Sequence, residues 1–360
     1  MKQRTIGVRV LWLAIVALGV QAVFVLTYAG AFESGADRLR VTVVSPDAGW
    51  AGLMANRINS IDGEPIWADI GSDRASAEQL LRQDDLQAVL VFDPQQQEDL
   101  LLTSSAQGQT AATGLRLAIT QIEASQGRTV RAQDITPVQP GDPGGVTGYY
   151  LVTCWVVSGY LFAALLVTSR DIIRRPQRHH PAWWLLGSVV FAAAAGLSGA
   201  FLVTGFLGAL DAALLSLAAV GALVVLTGAV VTLALTRLFG AFGLGVSVLA
   251  LVAVGGPSAG GAYGFAVLPP VWSGIVRWLP GGAGVDAVRK LTYFAADGLA
   301  LPLGTLIWWL VLGGLVVVLA GVNAPAATRS RPGRHRAAPA RRSGRHGGSS
   351  GSSPQRGPRK

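Results

Sequence analysis

The stretch AALLSLAAVGALVVLTGAVVTLALT, residues 212–236, lies between Asp211 and Arg237 and carries no charge over its 25 residues. A helix needs about 20 consecutive apolar residues to cross the hydrocarbon of a bilayer, so this run can span with some tilt. Outward from it, residues 10–31, 143–169, 179–210 and 298–328 repeat the pattern. Residues 238–276 form a further uncharged run of 39 residues, too long for a single crossing. It is broken by Gly255-Gly-Pro-Ser-Ala-Gly-Gly261, which predicts one helix from about Leu238 to Val254 and non-helical or re-entrant chain after it. The expected fold is a polytopic α-helical membrane protein of about six spanning helices. An α/β extracytoplasmic domain is expected between spans 1 and 2.

Composition narrows the chemistry. Of the 360 residues 51% are hydrophobic and 14% charged, against about 25% charged in ordinary globular chains. The net charge of +9 is unevenly spread. Residues 324–360 hold ten basic residues and no acid, while residues 31–147 hold sixteen acids against eight basic residues. A nucleic-acid-binding domain concentrates its positive charge on a folded face; here the excess sits in an Arg/Gly/Ser/Pro-rich tail, and no nucleic acid is expected. Cys154 is the single cysteine, which excludes an internal disulfide and a thiolate metal site. His179, His180, His335 and His346 have no carboxylate at metal-ligand spacing. The three lysines, at 2, 290 and 360, do not end a phosphate-binding loop. No cofactor, no metal and no catalytic residue is expected, and the chain is not read as an enzyme.

Charge bias orients the spans. Lys2, Arg4 and Arg9 precede the first run, placing the N-terminus in the cytoplasm. Six crossings return the C-terminus there. Arg170, Arg174, Arg175, Arg178, Arg237 and the basic tail then fall inside, and residues 32–145 outside, as expected for a multi-pass protein of the plasma membrane. Residues 1–31 are read as an uncleaved signal anchor; Ala29-Gly30-Ala31 offers the alternative of a cleaved signal peptide.

The outer block, residues 32–145, alternates strand and helix signals. Arg40–Val44, Pro65–Ile70, Leu86–Phe92 and Leu100–Ser104 read as strands and Thr129–Val138 as extended chain. Residues 51–61 and 109–123 carry helical spacing, and Ser76 with Gln79 has the spacing of a capping box. Repeated strand–helix–strand order predicts a largely parallel sheet. The adjacent acids Asp84-Asp85 and Glu98-Asp99 read as solvated turns rather than an acid/base dyad.

In the membrane half, residues 146–323, three features stand out. Ala195, Gly196, Gly199 and Ala200 form small-xxx-small pairs suited to close helix packing, within the bundle or between subunits. The segment 255–297 contains Pro257, Ser258, Gly260, Gly261, Pro269, Pro270, Pro280, Arg289 and Tyr293. It reads either as an irregular outer loop or as a re-entrant or interfacial lid over an exit path, with Trp272, Arg277 and Trp278 suited to the interface. The loop Arg170-Asp171-Ile-Ile-Arg174-Arg175-Pro-Gln-Arg178 is ordinary inside charge or a docking loop for a separate ATPase. Intramembrane carboxylates are nearly absent, which disfavours a proton-driven pump.

These pieces in order resemble the type-2 ABC exporter permeases with a large first external loop, and within them the YhgE/Pip and nitrosoguanidine-resistance-like group. The likeness spans most of residues 1–323. It rests on Arg40-Val-Thr-Val-Val-Ser-Pro-Asp47, Leu86–Pro94, Ser104–Ala111, Pro140–Tyr150, Pro257–Gly261 and Leu279–Phe294. The cytoplasmic loop departs from the family in lacking a long coupling helix. The resemblance implies a homo- or heterodimer of permease chains, a separate ATP-binding cassette subunit, and outward movement of a lipid, drug-like amphiphile or peptide. The alternative from a different class is a non-transporting membrane protein whose outer domain binds a partner: an envelope-assembly or secretion accessory, or a surface receptor. The tail, residues 324–360, is expected to be disordered and to attract anionic lipid.

Overall fold

A computed structural model describes residues 39–60, 66–172, 181–240, 242–258 and 274–322, with isolated positions elsewhere. The chain is mostly helical, with an α/β region and four helices long and apolar enough to cross a membrane. The expected first span and the basic tail lie outside the described residues, apart from isolated positions in the former.

The α/β region is built from β1 (Leu39–Val44), α1 (Ala48–Asn59), β2 (Ile66–Ile70), α2 (Arg74–Arg82), β3 (Ala88–Val91), β4 (Glu98–Thr103), α3 (Gln109–Ala124) and β5 (Thr129–Asp134). The sheet order is β2-β1-β3-β4-β5. Only the β3–β4 pair is antiparallel, so the sheet is largely parallel as the alternation implied. Val41, Val43, Leu90 and Leu101 on one face pack against Met54 and Ile58 of α1 and Leu115 and Ile119 of α3. Val44, Val89 and Leu102 on the other meet Ala77 and Leu81 of α2. Asp47 caps α1 by accepting from the Gly49 amide (2.6 Å). The expected capping box of Ser76 and Gln79 is corrected: α2 starts earlier, at Asp73, whose carboxylate accepts from the Ser76 amide (2.8 Å) and hydroxyl (2.7 Å). An Asp at the N-cap, acceptor-only and charged, outcompetes the serine for the free first-turn amides.

The reading of Glu98-Asp99 as a solvated turn is also corrected. Asp99 is 1% exposed and receives two hydrogen bonds from Arg128, Nε at 2.7 Å and Nη2 at 2.6 Å. Arg128 lies 4.6 Å above the Phe92 ring, and its Nη2 also donates to the Asp93 carbonyl. Behind it Glu123 is fully buried, 3.5 Å from Arg128 Nε. Burial first, and the adjacent Asp99 next, push the Glu123 carboxyl up from 4.5 to about 7. Neither of its oxygens has a hydrogen-bond donor among the described residues. A proton on Glu123, shared with Asp99, supplies one. A carboxyl whose folded value is raised contributes fully below its unfolded value, and stability falls as pH climbs from about 4.5 to 7. Glu123→Gln, which keeps a donor toward Asp99, should flatten that slope, so the variant gains on the parent between pH 5 and 8. Thermal midpoints of the full chain across that range check this; parallel pH profiles for the two proteins would refute it.

The helical half starts with α4 (Thr147–Ile172), followed by α5 (Pro181–Phe201), which runs on through a π-helical turn to Phe206, then α6 (Leu214–Phe239). After them come α7 (Phe242–Val248), α8 (Pro280–Tyr293) and α9 (Ala300–Val322). The spanning candidates lie in α4, α5, α6 and α9. Their directions follow from contacts. Trp155 of α4 faces Gly221 of α6, and Gly159 faces Val225 and Ala229, so α4 and α6 are parallel. Trp155 meets Gly199 and Phe162 stacks on Phe191, making α5 antiparallel to α4. Thr227 donates to the Leu306 carbonyl and Gly313 packs on Val230, so α9 is parallel to α6. α6 is the central helix, and Leu186, Val190, Phe201, Leu301, Trp308, Val311 and Leu315 of α5 and α9 stay exposed.

Parallel α6 and α9 require the chain between them to come back. α7 does so, continuing through a π-helical segment (Leu249–Val254) into Gly255–Ser258. It leaves beside Leu235 and Thr236, where Gly243 packs, and ends with Leu251–Gly256 beside Val152–Val157 of α4. Seventeen residues at about 1.5 Å each cover roughly 25 Å. The expected single helix from Leu238 to Val254 is therefore corrected. Leu238 and Phe239 still belong to α6, which stops at Gly240 in a left-handed conformation (φ 61°), and the returning helix starts at Phe242. A charge-free run cannot mark that reversal, because turning needs a glycine and no change in polarity.

Candidate functional site

The end of the helical bundle from which α4 departs is where the α/β region meets α8. Pro280 opens α8, buried, at its first turn, where its missing N–H costs nothing. Behind it Gly281, Gly282 and Gly284 allow close approach. A Cβ on Gly281 would lie 2.9 Å from the Gly255 carbonyl, and one on Gly284 2.7 Å from Val152 and 3.0 Å from Val224. The sequence Pro-Gly-Gly-Ala-Gly thus lets α8 settle into this end of the bundle, against Val152 of α4, Val224 of α6 and Gly255 of the returning helix.

From that seat α8 projects Arg289 toward the α/β region. Its Nη2 donates to Asp84 Oδ2 (2.7 Å) and Asp286 Oδ1 (3.2 Å), its Nη1 to the Gln107 carbonyl (3.1 Å), and its plane covers the Phe265 ring at 4.5 Å. Lys290 stands 3.9 Å from Asp84. Asp84 is in a left-handed backbone conformation (φ 69°) just past α2, tolerable for Asp. Burial pushes its carboxyl above the usual range, and Arg289 pulls the other way. The reading of Asp84-Asp85 as a solvated turn holds for exposed Asp85 and is corrected for Asp84, whose side chain is only 12% exposed. The link spans 205 residues of sequence.

Around Arg289 lies a cavity of about 50 Å³, lined among others by Gln107, Asp142, Tyr149, Thr292 and Tyr293. Gln107 Oε1, Arg289 Nε and Thr292 Oγ1 are buried without hydrogen-bond partners among the described residues. A space of that size holds one or two waters, which would satisfy a donor, an acceptor and a hydroxyl together. Asp142 holds the entry to α4, accepting from the amides of Val146 (3.2 Å) and Thr147 (3.0 Å). Gln139 exchanges hydrogen bonds with the Asp211 backbone, tying the α5–α6 connection to the same junction.

Of the residues singled out from the sequence, the structure brings Pro280, Arg289 and Tyr293 together on α8. Pro257 and Ser258 end the returning helix and Gly260 is buried at φ 82°. Gly261, Pro269, Pro270 and Trp272 lie outside the described residues, as do Arg174, Arg175 and Arg178. The backbone of Arg170 and Asp171 is the last turn of α4; their side chains are likewise outside the description. The small residues serve packing inside the bundle. Gly196 abuts the α6 backbone, Gly199 receives Trp155, whose Nε1 donates to the Ala195 carbonyl (3.2 Å), and Ala200 is fully buried. Sequence reasoning does not single out Gln107, Asp142, Phe265 or Lys290, and it reads Asp84 as a solvated turn. Their signal is the adjacent basic pair Arg289-Lys290, which demands acidic partners.

Among the described residues no group of His, Cys, Asp and Glu could hold a metal ion. No protein-family description, curated protein or solved structure matches this chain.

Proposed function

We propose that this chain is the membrane-spanning permease subunit of an ABC-type exporter, moving a lipid, drug-like amphiphile or peptide outward on the ATP cycle of a separate ATPase. The observation that carries the reading is α8, a helix laid over the bundle end on close glycine contacts and bound by Arg289 to the α/β region. That is what a movable cover over an exit path requires: a rigid helix, a short broken neighbour in α7, and a polar attachment that can be remade. With α7 and its continuation as one crossing and residues 10–31 as another, the chain makes six. Both termini and the 170–178 loop then fall on the cytoplasmic side, with residues 32–145 outside. Permease chains would pair as a homo- or heterodimer, and the basic tail would hold anionic lipid. The direct experiment is purification of the full chain from its native membrane, with ATP hydrolysis and an ATP-binding cassette subunit sought in the eluate. Both should accompany the wild type and fall at least 10-fold with Arg174→Glu/Arg175→Glu. A wild-type chain without such a subunit overturns the proposal.

One observation favours the non-transporting alternative. Trp50 and Leu53 on α1 and Trp67 and Ile70 on β2, an edge strand, are all more than 40% exposed. Exposed apolar side chains beside an open sheet edge suit a protein partner. Under that reading Trp50→Asp/Leu53→Asp abolishes function while export-linked ATP hydrolysis is never found.

A further inference from the structure

Three recesses step outward from Arg289. The small cavity under the α/β region shares Arg289 and Phe265 with a second of about 180 Å³, bounded by Asp84, Asp85, Arg277, Asp286 and Lys290. That one shares Arg277 and Leu301 with a third of about 500 Å³ along α9, floored by Gly304 and walled by Trp278 and Trp308. The series runs from a buried polar end to an exposed apolar one.

Each step has a distinct chemistry. In the outer groove Leu301, Trp308 and Trp278 are exposed apolar surface on and beside a helix long enough to cross a bilayer. The hydroxyl of Thr305 is already donated to the carbonyls of Arg277 (3.2 Å) and Leu301 (3.3 Å), and Trp309 Nε1 donates to the Trp278 carbonyl (2.7 Å). These bonds pin residues 277–278 to α9, so the groove is preformed and its Thr305 hydroxyl is occupied. At the neck Arg277 is exposed and has no ion pair among the described residues. Deeper in, Arg289 Nη2 is held by Asp84 and Asp286, while Lys290 reaches Asp84, at 3.9 Å. The charged lining of the second recess is balanced, Asp84, Asp85 and Asp286 against Arg277, Arg289 and Lys290, and Arg277 is the charged side chain at the neck that it shares with the apolar groove; exposed Asp85 at the rim can accept from hydroxyl or amine groups.

We propose that this stepped recess binds one phospholipid-type amphiphile. Its acyl chains lie along Trp278, Leu301, Gly304 and Trp308, its phosphate meets Arg277 with Lys290 behind, and its head group extends toward Asp85. A neutral drug would leave Arg277 unanswered, and a peptide backbone would lack hydrogen-bond partners in the groove. The proposal names the amphiphile class for the exporter reading and rests on that reading for the idea that the bound molecule is cargo. Binding itself needs no ATPase.

The test is titration of the purified full chain in detergent with phosphatidylglycerol, diacylglycerol of the same chains, and glycerol phosphate, read by native mass spectrometry. Phosphatidylglycerol should saturate at one tightly held copy per chain, with the other two at least 10-fold weaker. Arg277→Gln should weaken phosphatidylglycerol about 10-fold, the loss of one charge-assisted contact. Gly304→Trp should fill the groove and abolish the tight copy; a Cβ at Gly304 meets no atom within 4 Å, so the chain keeps its fold. Arg237→Gln, at the far end of α6, should change nothing. Equal binding by Arg277→Gln and Gly304→Trp, diacylglycerol binding as tightly, or uptake without saturation each overturns the proposal. An ATPase-free chain that still shows the tight copy separates this result from failure of the export reading.

Discussion

Replacing Arg128 with methionine should cost the α/β region about 3–5 kcal/mol, because it strands a buried charge rather than removing a pair. Asp99 is 1% exposed and loses both hydrogen bonds from the guanidinium. Glu123, fully buried, loses the guanidinium at 3.5 Å and keeps the weaker influence of Arg57. The Asp93 carbonyl loses one of its two donors, keeping the Gln96 amide. Methionine restores much of the packing on Phe92, so the loss reports electrostatics. The deficit should be smaller below about pH 7, where the Glu123 carboxyl is protonated, and largest above it, where Glu123 would otherwise ionise. Hydrogen exchange of β4 and α3 in the full chain measures it. A pH-independent deficit would show that lost packing, and not stranded charge, is the cause.

Gly196→Leu should be at least as damaging in the helical half. A Cβ there would lie 2.4 Å from the Ala222 nitrogen and 2.5 Å from the Ala218 oxygen. Both are backbone atoms of α6 and cannot turn aside as a side chain can. Overpacking of a core usually costs about 1–3 kcal/mol; a clash with backbone should exceed that and push α5 off the central helix, carrying Trp155 out of its notch between Gly199 and Gly221. The expected result is loss of the single symmetrical peak on size-exclusion chromatography in detergent. Gly187→Leu, on the same helix, meets only Phe162 Cζ at 4.0 Å and should behave like the parent. Similar profiles for the two variants would show that α5 does not pack on α6 through Gly196.

Much of this architecture is written locally. Hydrophobic length alone separates α4, α5, α6 and α9, since a run of uncharged residues cannot be stabilised in water at that length. Period-two alternation and turn residues such as Asp47 and Asp93-Pro94 announce the strands, because those signals act over a few neighbours. Gly196 and Gly199 announce close packing, though not which helix they meet. The acid pairs misled for the opposite reason: Asp84 and Asp99 look like any solvated turn until a partner arrives from 205 and 29 residues away.

Hydrophobic length, periodicity and net charge already mark the four helices long and apolar enough to cross a membrane, the strand–helix alternation and the acidic and basic segments. Only the tertiary structure decided that Gly240 reverses the chain, that Arg128 is shared by two buried carboxyls, and that Arg289 joins α8 to the α/β region. A reversal within uncharged chain leaves no mark in polarity, and the worth of an ion pair depends on the distance and burial that folding alone creates.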